Sequence, residues 1–292
     1  MDFPRLKPNP LPDVNPLPEY AVRGQRAIWY AEMKTDLQVP WMGVVTMAFA
    51  HYPTFFDVLW RGLRPLVTSR AFVDEARALQ EIAETGVGDW SPPSIRTRLS
   101  GMGYGERELR EISDVNAVFS HGNHLYALIA TAARLLLEEA ELNGIDNPGP
   151  GAGRHSPPVD VPFVLMEMHH ADAPTRAVFE EVKSTLGLPI VNTDYRAFAR
   201  WPSYWAAAWA DLREVIGTDQ HETLCRQYHD RMCTSLRTRL PNPGRLMSSD
   251  LIAAARSDTD LDEILAVVRL FQWLLPGLAV NVAYLGNQLI KD

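Results

Sequence analysis

Apolar residues recur at intervals of three and four along most of the chain, the spacing that gathers them on one face of an α-helix. Residues 25–34 open the pattern, with Ile28 and Trp29 expected inside, and 53–64, 71–84 and 106–142 continue it. After a break the order returns in 175–183, 202–213, 221–240 and 258–290. Proline heads both 53–64 and 202–213, and aromatics follow it at helical spacing, which marks a helix start in each. Residues 159–168 have the apolar content of a short strand, but no ladder of strand patterns accompanies them, so the pattern predicts an all-α fold.

The second half of this pattern is a copy of the first. Pro40, Ala48-Phe49-Ala50, Pro53, Trp60 and Arg64 match Pro189, Ala197-Phe198-Ala199, Pro202, Trp209 and Arg213 at one offset, 202 − 53 = 149 residues. Further on, Leu109, Glu111, Ile112, Val115 and Phe119 match Leu261, Glu263, Ile264, Val267 and Phe271 at 271 − 119 = 152, a drift that a loop insertion explains. Neither amphipathic set can bury its apolar face alone, so tandem pseudo-symmetric helical repeats packed as a pseudo-dimer are expected. The expected boundaries are an extended, proline-bearing arm at 1–20, a repeat at 21–143, a glycine- and proline-rich linker at 144–158 and a second repeat at 159–292.

Composition narrows the class. With 292 residues, 46% hydrophobic and 22% charged, the chain has the make-up of a soluble globular protein with ample core. A formal net charge of −8 argues against nucleic acid as a partner. The arm lacks the apolar segment of a signal peptide, and the apolar stretch 270–285 is interrupted by Gln272, Pro276, Gly277 and Asn281, so no membrane partner is implied. Cys225 and Cys233 stand eight positions apart on a helical segment, roughly 12 Å along its axis, too far for a disulfide; reduced thiols in the cytoplasm are expected. Trp205 and Trp209, if exposed, would supply a homodimer surface.

Two versions of one scaffold allow candidate chemistry to be found by difference. Asn192-Thr193-Asp194 stands where the first copy has Gly43-Val44-Val45, so a carboxylate replaces a valine. Ser120-His121-Gly122-Asn123-His124-x-Tyr126 stands opposite Gln272-Trp273-Leu274-Leu275-Pro276-x-Leu278, so Asn123 replaces a leucine. Each has a plain structural reading: Thr193 as a helix N-cap followed by a first-turn acid, Asn123 as a hydrogen-bonded core residue, Trp41 as packing. Glu167-x-x-His170 has the form used in di-metal bundles, but such sites need a second copy and the chain has none, so no metal is expected. A Gly-x-Ser-x-Gly elbow and a phosphate-binding glycine loop are also absent from the sequence.

The motifs Val39-Pro-Trp41, Phe119-x-x-Gly122-Asn123-x-x-Tyr126 and Thr193-Asp194-x-x-Ala-x-Ala-x-Trp201-Pro202, in this order within a tandem helical repeat, resemble those of the group I 2-haloacid dehalogenases, which accept D and L substrates. The resemblance implies a helical pseudo-dimer that removes halide from short, anionic 2-halocarboxylates by direct attack of water, with inversion, no covalent ester and no cofactor. By the same resemblance Asp194 is the base and Asn123 helps hold the water. Trp41, Val44, Tyr126, Thr193 and Phe271 line the substrate pocket. Three positions depart from the family pattern: Thr193 stands in place of serine, Val44 in place of an aromatic, and Phe271 in place of a tyrosine. Val44 and Phe271 support a competing reading, a non-catalytic or altered-ligand helical binding protein; a di-metal helical enzyme is third.

Overall fold

The computed structural model describes residues 3–290; Met1, Asp2, Lys291 and Asp292, the outer ends of the expected arm and second repeat, lie outside the described residues. Among the described residues the chain forms twelve helices and no strand, as the hydrophobic periodicity predicts. They are α1 Gln25–Leu37, α2 Val44–Phe49, α3 Pro53–Val67, α4 Arg70–Gly88, α5 Arg96–Gly101, α6 Glu106–Leu137, α7 Ala173–Leu186, α8 Thr193–Phe198, α9 Pro202–Leu212, α10 Asp219–Thr238, α11 Ser248–Asp258 and α12 Leu261–Gln288. Four of the six matched helix starts keep the sequence register. For α8 and α2 the difference is 193 − 44 = 149, for α9 and α3 it is 202 − 53 = 149, and for α10 and α4 it is 219 − 70 = 149. Between α11 and α5 it becomes 248 − 96 = 152, so the insertion lies after the start of α10.

Two compact units divide the chain, and each draws on both sequence copies. The first comprises residues up to Glu81, His121–Ser156 and Cys225–Leu278; the second comprises Ile82–Ser120, Pro157–Leu224 and residues from Ala279 on. Within the first, Phe49 of α2 meets Phe271 of α12 edge to face at 6.2 Å between ring centroids. Within the second, the matched residues Phe198 of α8 and Phe119 of α6 meet at 6.0 Å. A surface ion pair is duplicated in the same way: Arg64 bonds Glu32 at 2.7 Å in the first unit, and Arg213 bonds Glu181 at 2.8 Å in the second.

Local chemistry departs from this equivalence at one core position. In the first unit the buried Glu75 carboxylate accepts two bonds from Arg231, at 2.6 and 2.9 Å, and one from Ser235 at 2.7 Å. At the matched places the second unit has Leu224 for Glu75, Ile82 for Arg231 and Gly86 for Ser235, and a Cβ on Gly86 would lie 2.6 Å from Leu224 Cδ1. One unit therefore holds together by a desolvated ion pair where the other uses aliphatic contact.

The N-terminal segment is anchored within the first unit: Arg5 Nε donates to Trp273 O (3.0 Å), Arg134 Nη1 to Pro4 O (3.0 Å), Leu17 N to Met47 O (3.1 Å) and Tyr30 Oη to Leu17 O (2.8 Å). The linker is mostly exposed yet docked. Gln38, held in the left-handed region at φ 52° just after α1, donates to Gly153 O and accepts from the backbone N–H groups of His155 and Ser156.

Three expectations change. Ile28 is 51% exposed, because the buried stripe of α1 runs through Trp29, Met33 and Leu37, one position round the helix. Trp205 and Trp209 are buried rather than exposed, which removes the ground on which they suggested a homodimer. α12 is long and apolar enough to cross a membrane by length and composition, but 78% of its most apolar window is buried inside the protein, as befits a core helix. Cys225 and Cys233 form no disulfide and are buried in α10.

Breaking the buried pair leaves Arg231 and Ser235 facing an unfilled, partly desolvated site. Glu75→Ala is therefore expected to lower stability by about 3–5 kcal/mol, read from the midpoint of urea unfolding, whereas loss of the exposed Arg213–Glu181 pair is expected to cost less than about 1 kcal/mol.

Candidate functional site

Two glycines set the geometry of the first unit's polar cluster. A Cβ at Gly122 on α6 would sit 2.4 Å from Cη2 of Trp41, so only glycine lets the indole lie against the helix one residue before Asn123. At Gly43, the residue before α2, a Cβ would come within 3.0 Å of the Tyr126 ring. Tyr126 completes the interlock: its hydroxyl donates to Trp41 O at 2.7 Å, and the two rings lie 6.0 Å apart. Trp41, Asn123 and Tyr126 are buried, Phe271 is buried against Phe49, and Val44 is half-buried at the start of α2. All five predicted residues of this group belong to the first unit.

Thr193 and Asp194 belong to the second unit, in the first turn of α8. The helix begins one residue earlier than the capping reading requires. Asn192 is the N-cap and makes no side-chain capping bond, and Thr193 is already inside the helix. Asp194 is only 3% exposed, so its carboxylate is a core group rather than a solvated first-turn acid. Its neighbour Tyr195 stacks on Trp205 at 5.1 Å and 21° between planes, and accepts a hydrogen bond from Asn281 Nδ2 at 2.8 Å. Sequence reasoning missed Asn281, although a polar side chain inside the apolar run of the last helix was a visible signal.

The histidines of the first unit's cluster are neutral structural groups. His124, fully buried, shares a 2.6 Å hydrogen bond with Tyr228, and burial pushes its pKa down to about 3. Burial likewise brings His121 down to about 4, and its Nε2 donates to Leu37 O at 3.1 Å. Glu167 is engaged by Arg196, and His169 and His170 are exposed with rings 4.0 Å apart. Among the described residues no three metal-binding side chains gather.

A buried carboxylate beside an aromatic stack, and a buried amide next to an interlocked tryptophan and tyrosine, are parts suited to activating water against a small organic substrate. Comparison with known proteins agrees with this class. The family model described as halocarboxylic acid dehydrogenase DehI matches residues 40–186, just over half of the chain. The chain is 45% identical over 247 residues to an (R)-2-haloacid dehalogenase of Rhizobium sp. (strain NHG3), covering 84% of this chain and 95% of that protein. It is 33% identical over 286 residues to an (R)-2-haloacid dehalogenase of Pseudomonas putida, covering 95% and 93%. A solved D-2-haloacid dehalogenase mutant superposes with a TM-score of 0.90 at 29% identity, over 99% of this chain and 100% of that one. The chain belongs to this family of 2-haloacid dehalogenases.

Two measurements test the geometry. Gly122→Ala is expected to destabilise the fold by about 1–3 kcal/mol through overpacking against Trp41, with a change in tryptophan fluorescence. His124 has a folded pKa below its unfolded value of about 6.5, so the unfolded chain takes up the proton first and stability falls as pH drops from about 6.5 toward 3. Denaturant midpoints in this window are expected to fall less steeply for His124→Gln than for the parent, by up to about 1.4 kcal/mol per pH unit.

Proposed function

We propose that this chain is a 2-haloacid dehalogenase that hydrolyses (R)-2-halocarboxylates to the (S)-2-hydroxy acids. The observation that carries the proposal is the near-complete burial of Asp194 at a place where the sister copy has a valine. A neutral side chain would suit that core better, so the carboxylate has a chemical reason to be there. In the reaction the water oxygen bonds to the α-carbon as the carbon–halogen bond breaks. Halide leaves with the bonding pair, and Asp194 takes the proton. Asn123 holds the water, while Trp41, Val44, Tyr126, Thr193 and Phe271 bound the substrate. General-base help of this kind is worth roughly 10² to 10⁴-fold.

The names of the similar proteins favour the R side over the acceptance of both enantiomers that the motif resemblance implies. Inversion follows from direct attack opposite the leaving halide. The tandem pseudo-dimer belongs to the same proposal, supported by the recurring helix register and the paired phenylalanine contacts. A cytoplasmic location fits two buried cysteines that form no disulfide, and sedimentation of the purified chain reads whether it forms a homodimer.

Chloride release from (R)- and (S)-2-chloropropionate tests the assignment. The R enantiomer is expected to react at least about tenfold faster and to yield (S)-lactate; equal rates would return the two-enantiomer reading. Asp194→Asn is expected to abolish release while the chain stays folded, and Asn123→Ala to slow turnover by a loss of about 1–3 kcal/mol of positioning. A single turnover in ¹⁸O-water is expected to label the product hydroxyl; label first appearing in Asp194 would mean a covalent ester.

A further inference from the structure

Among the described residues the second unit contains a buried hydrogen-bond chain at places where the first has none of its members. Gly217 N donates to His221 Nδ1 at 3.4 Å, which leaves the proton on Nε2 to be donated to Asn281 Oδ1 at 3.0 Å. Asn281 Nδ2 in turn donates to Tyr195 Oη at 2.8 Å. His221, Asn281 and Tyr195 are exposed by 3%, 2% and 0%. At the matched places the first copy has Phe72 (221 − 149), Ile129 (281 − 152) and Thr46 (195 − 149). Phe72 and Ile129 are buried, and Thr46 satisfies itself locally by donating to Gly43 O at 2.9 Å. One scaffold thus builds the same core region with two apolar side chains and a locally satisfied threonine in one copy and with a directional polar relay in the other. At the matched places the first copy is packed without such a relay.

What the relay reaches is the residue next to Asp194. α8 has six residues, too few to hold its own rotation, and the Tyr195 hydroxyl ties its first turn to α12, a helix of 28 residues. We propose that Asn281, backed by His221, is a positioning residue for the general base: through Tyr195 it fixes the rotation of α8 and with it the direction of the Asp194 carboxylate. The proposal rests on Asp194 being that base. A carboxylate turned a fraction of an ångström from the attacking water lowers the chemical step and leaves substrate binding nearly untouched.

The test replaces the relay by apolar side chains in the full chain, His221→Phe, Asn281→Ile and Tyr195→Phe together, beside Tyr195→Phe and Asp194→Asn alone. For the triple variant the expected result is melting at or above the parent temperature, with kcat on (R)-2-chloropropionate lowered about tenfold or more and KM within about threefold. Tyr195→Phe, which removes a single oxygen, is expected to lower kcat by about three- to tenfold whether or not the triple variant folds. An unchanged kcat in Tyr195→Phe, or a folded triple variant whose KM rises while kcat holds, overturns the proposal. Retained activity in Asp194→Asn instead overturns the base assignment itself, so the two failures are separable.

Discussion

Phe271 covering Phe49, and Phe119 covering Phe198, express the constraint on which the rest of the structure depends: an amphipathic helix set with one apolar face must find its cover elsewhere in the chain. Each copy supplies the cover for a face of the other, so both compact units are mosaics of the two copies. The shared solution fixes helix starts, aromatic contacts and even a surface ion pair in duplicate. It also frees individual positions. Once packing is secured twice over, one copy can carry Glu75 or Asp194 where the other carries leucine or valine.

Such substitutions are expensive in an apolar core unless their hydrogen bonds are met. Glu75 is met fully, by Arg231 and Ser235, and is accounted for by structure alone. The polar residues around Asn123 and Asp194 are of another kind. His124 and Tyr228 satisfy each other, Tyr126 pins the Trp41 backbone, and Asn281 links His221 to Tyr195. These bonds hold neutral groups in fixed directions beside the two side chains proposed to act on water, an arrangement that preorganisation in a core would require.

The fold was legible in the sequence because helical periodicity is a local signal and the repeat register removes ambiguity about which helix is which. The burial of Asp194 and Asn123 was legible for the same reason, as polar residues at apolar places. What local pattern could not reveal was direction around a helix and partners far along the chain. Ile28 points outward because the stripe is set by Trp29 and Met33, and Trp205 lies inside because Tyr195 stacks on it. Gly122 was visible as part of a motif, but its reason, the Trp41 ring lying on α6, depends on residues about eighty positions apart.

The mosaic make-up of the units bears on how the chain is synthesised. The first unit needs segments from the N-terminal arm through Leu278, and the second needs residues beyond Ala279. When only the first copy has been synthesised, α1 to α6 stand without the second-copy segments that complete both units. Contacts of such long sequence separation are slow to form and leave apolar faces open meanwhile. Folding of either unit thus waits on segments from both halves of the sequence, and its apolar faces stay open longer than in a domain built from one contiguous stretch.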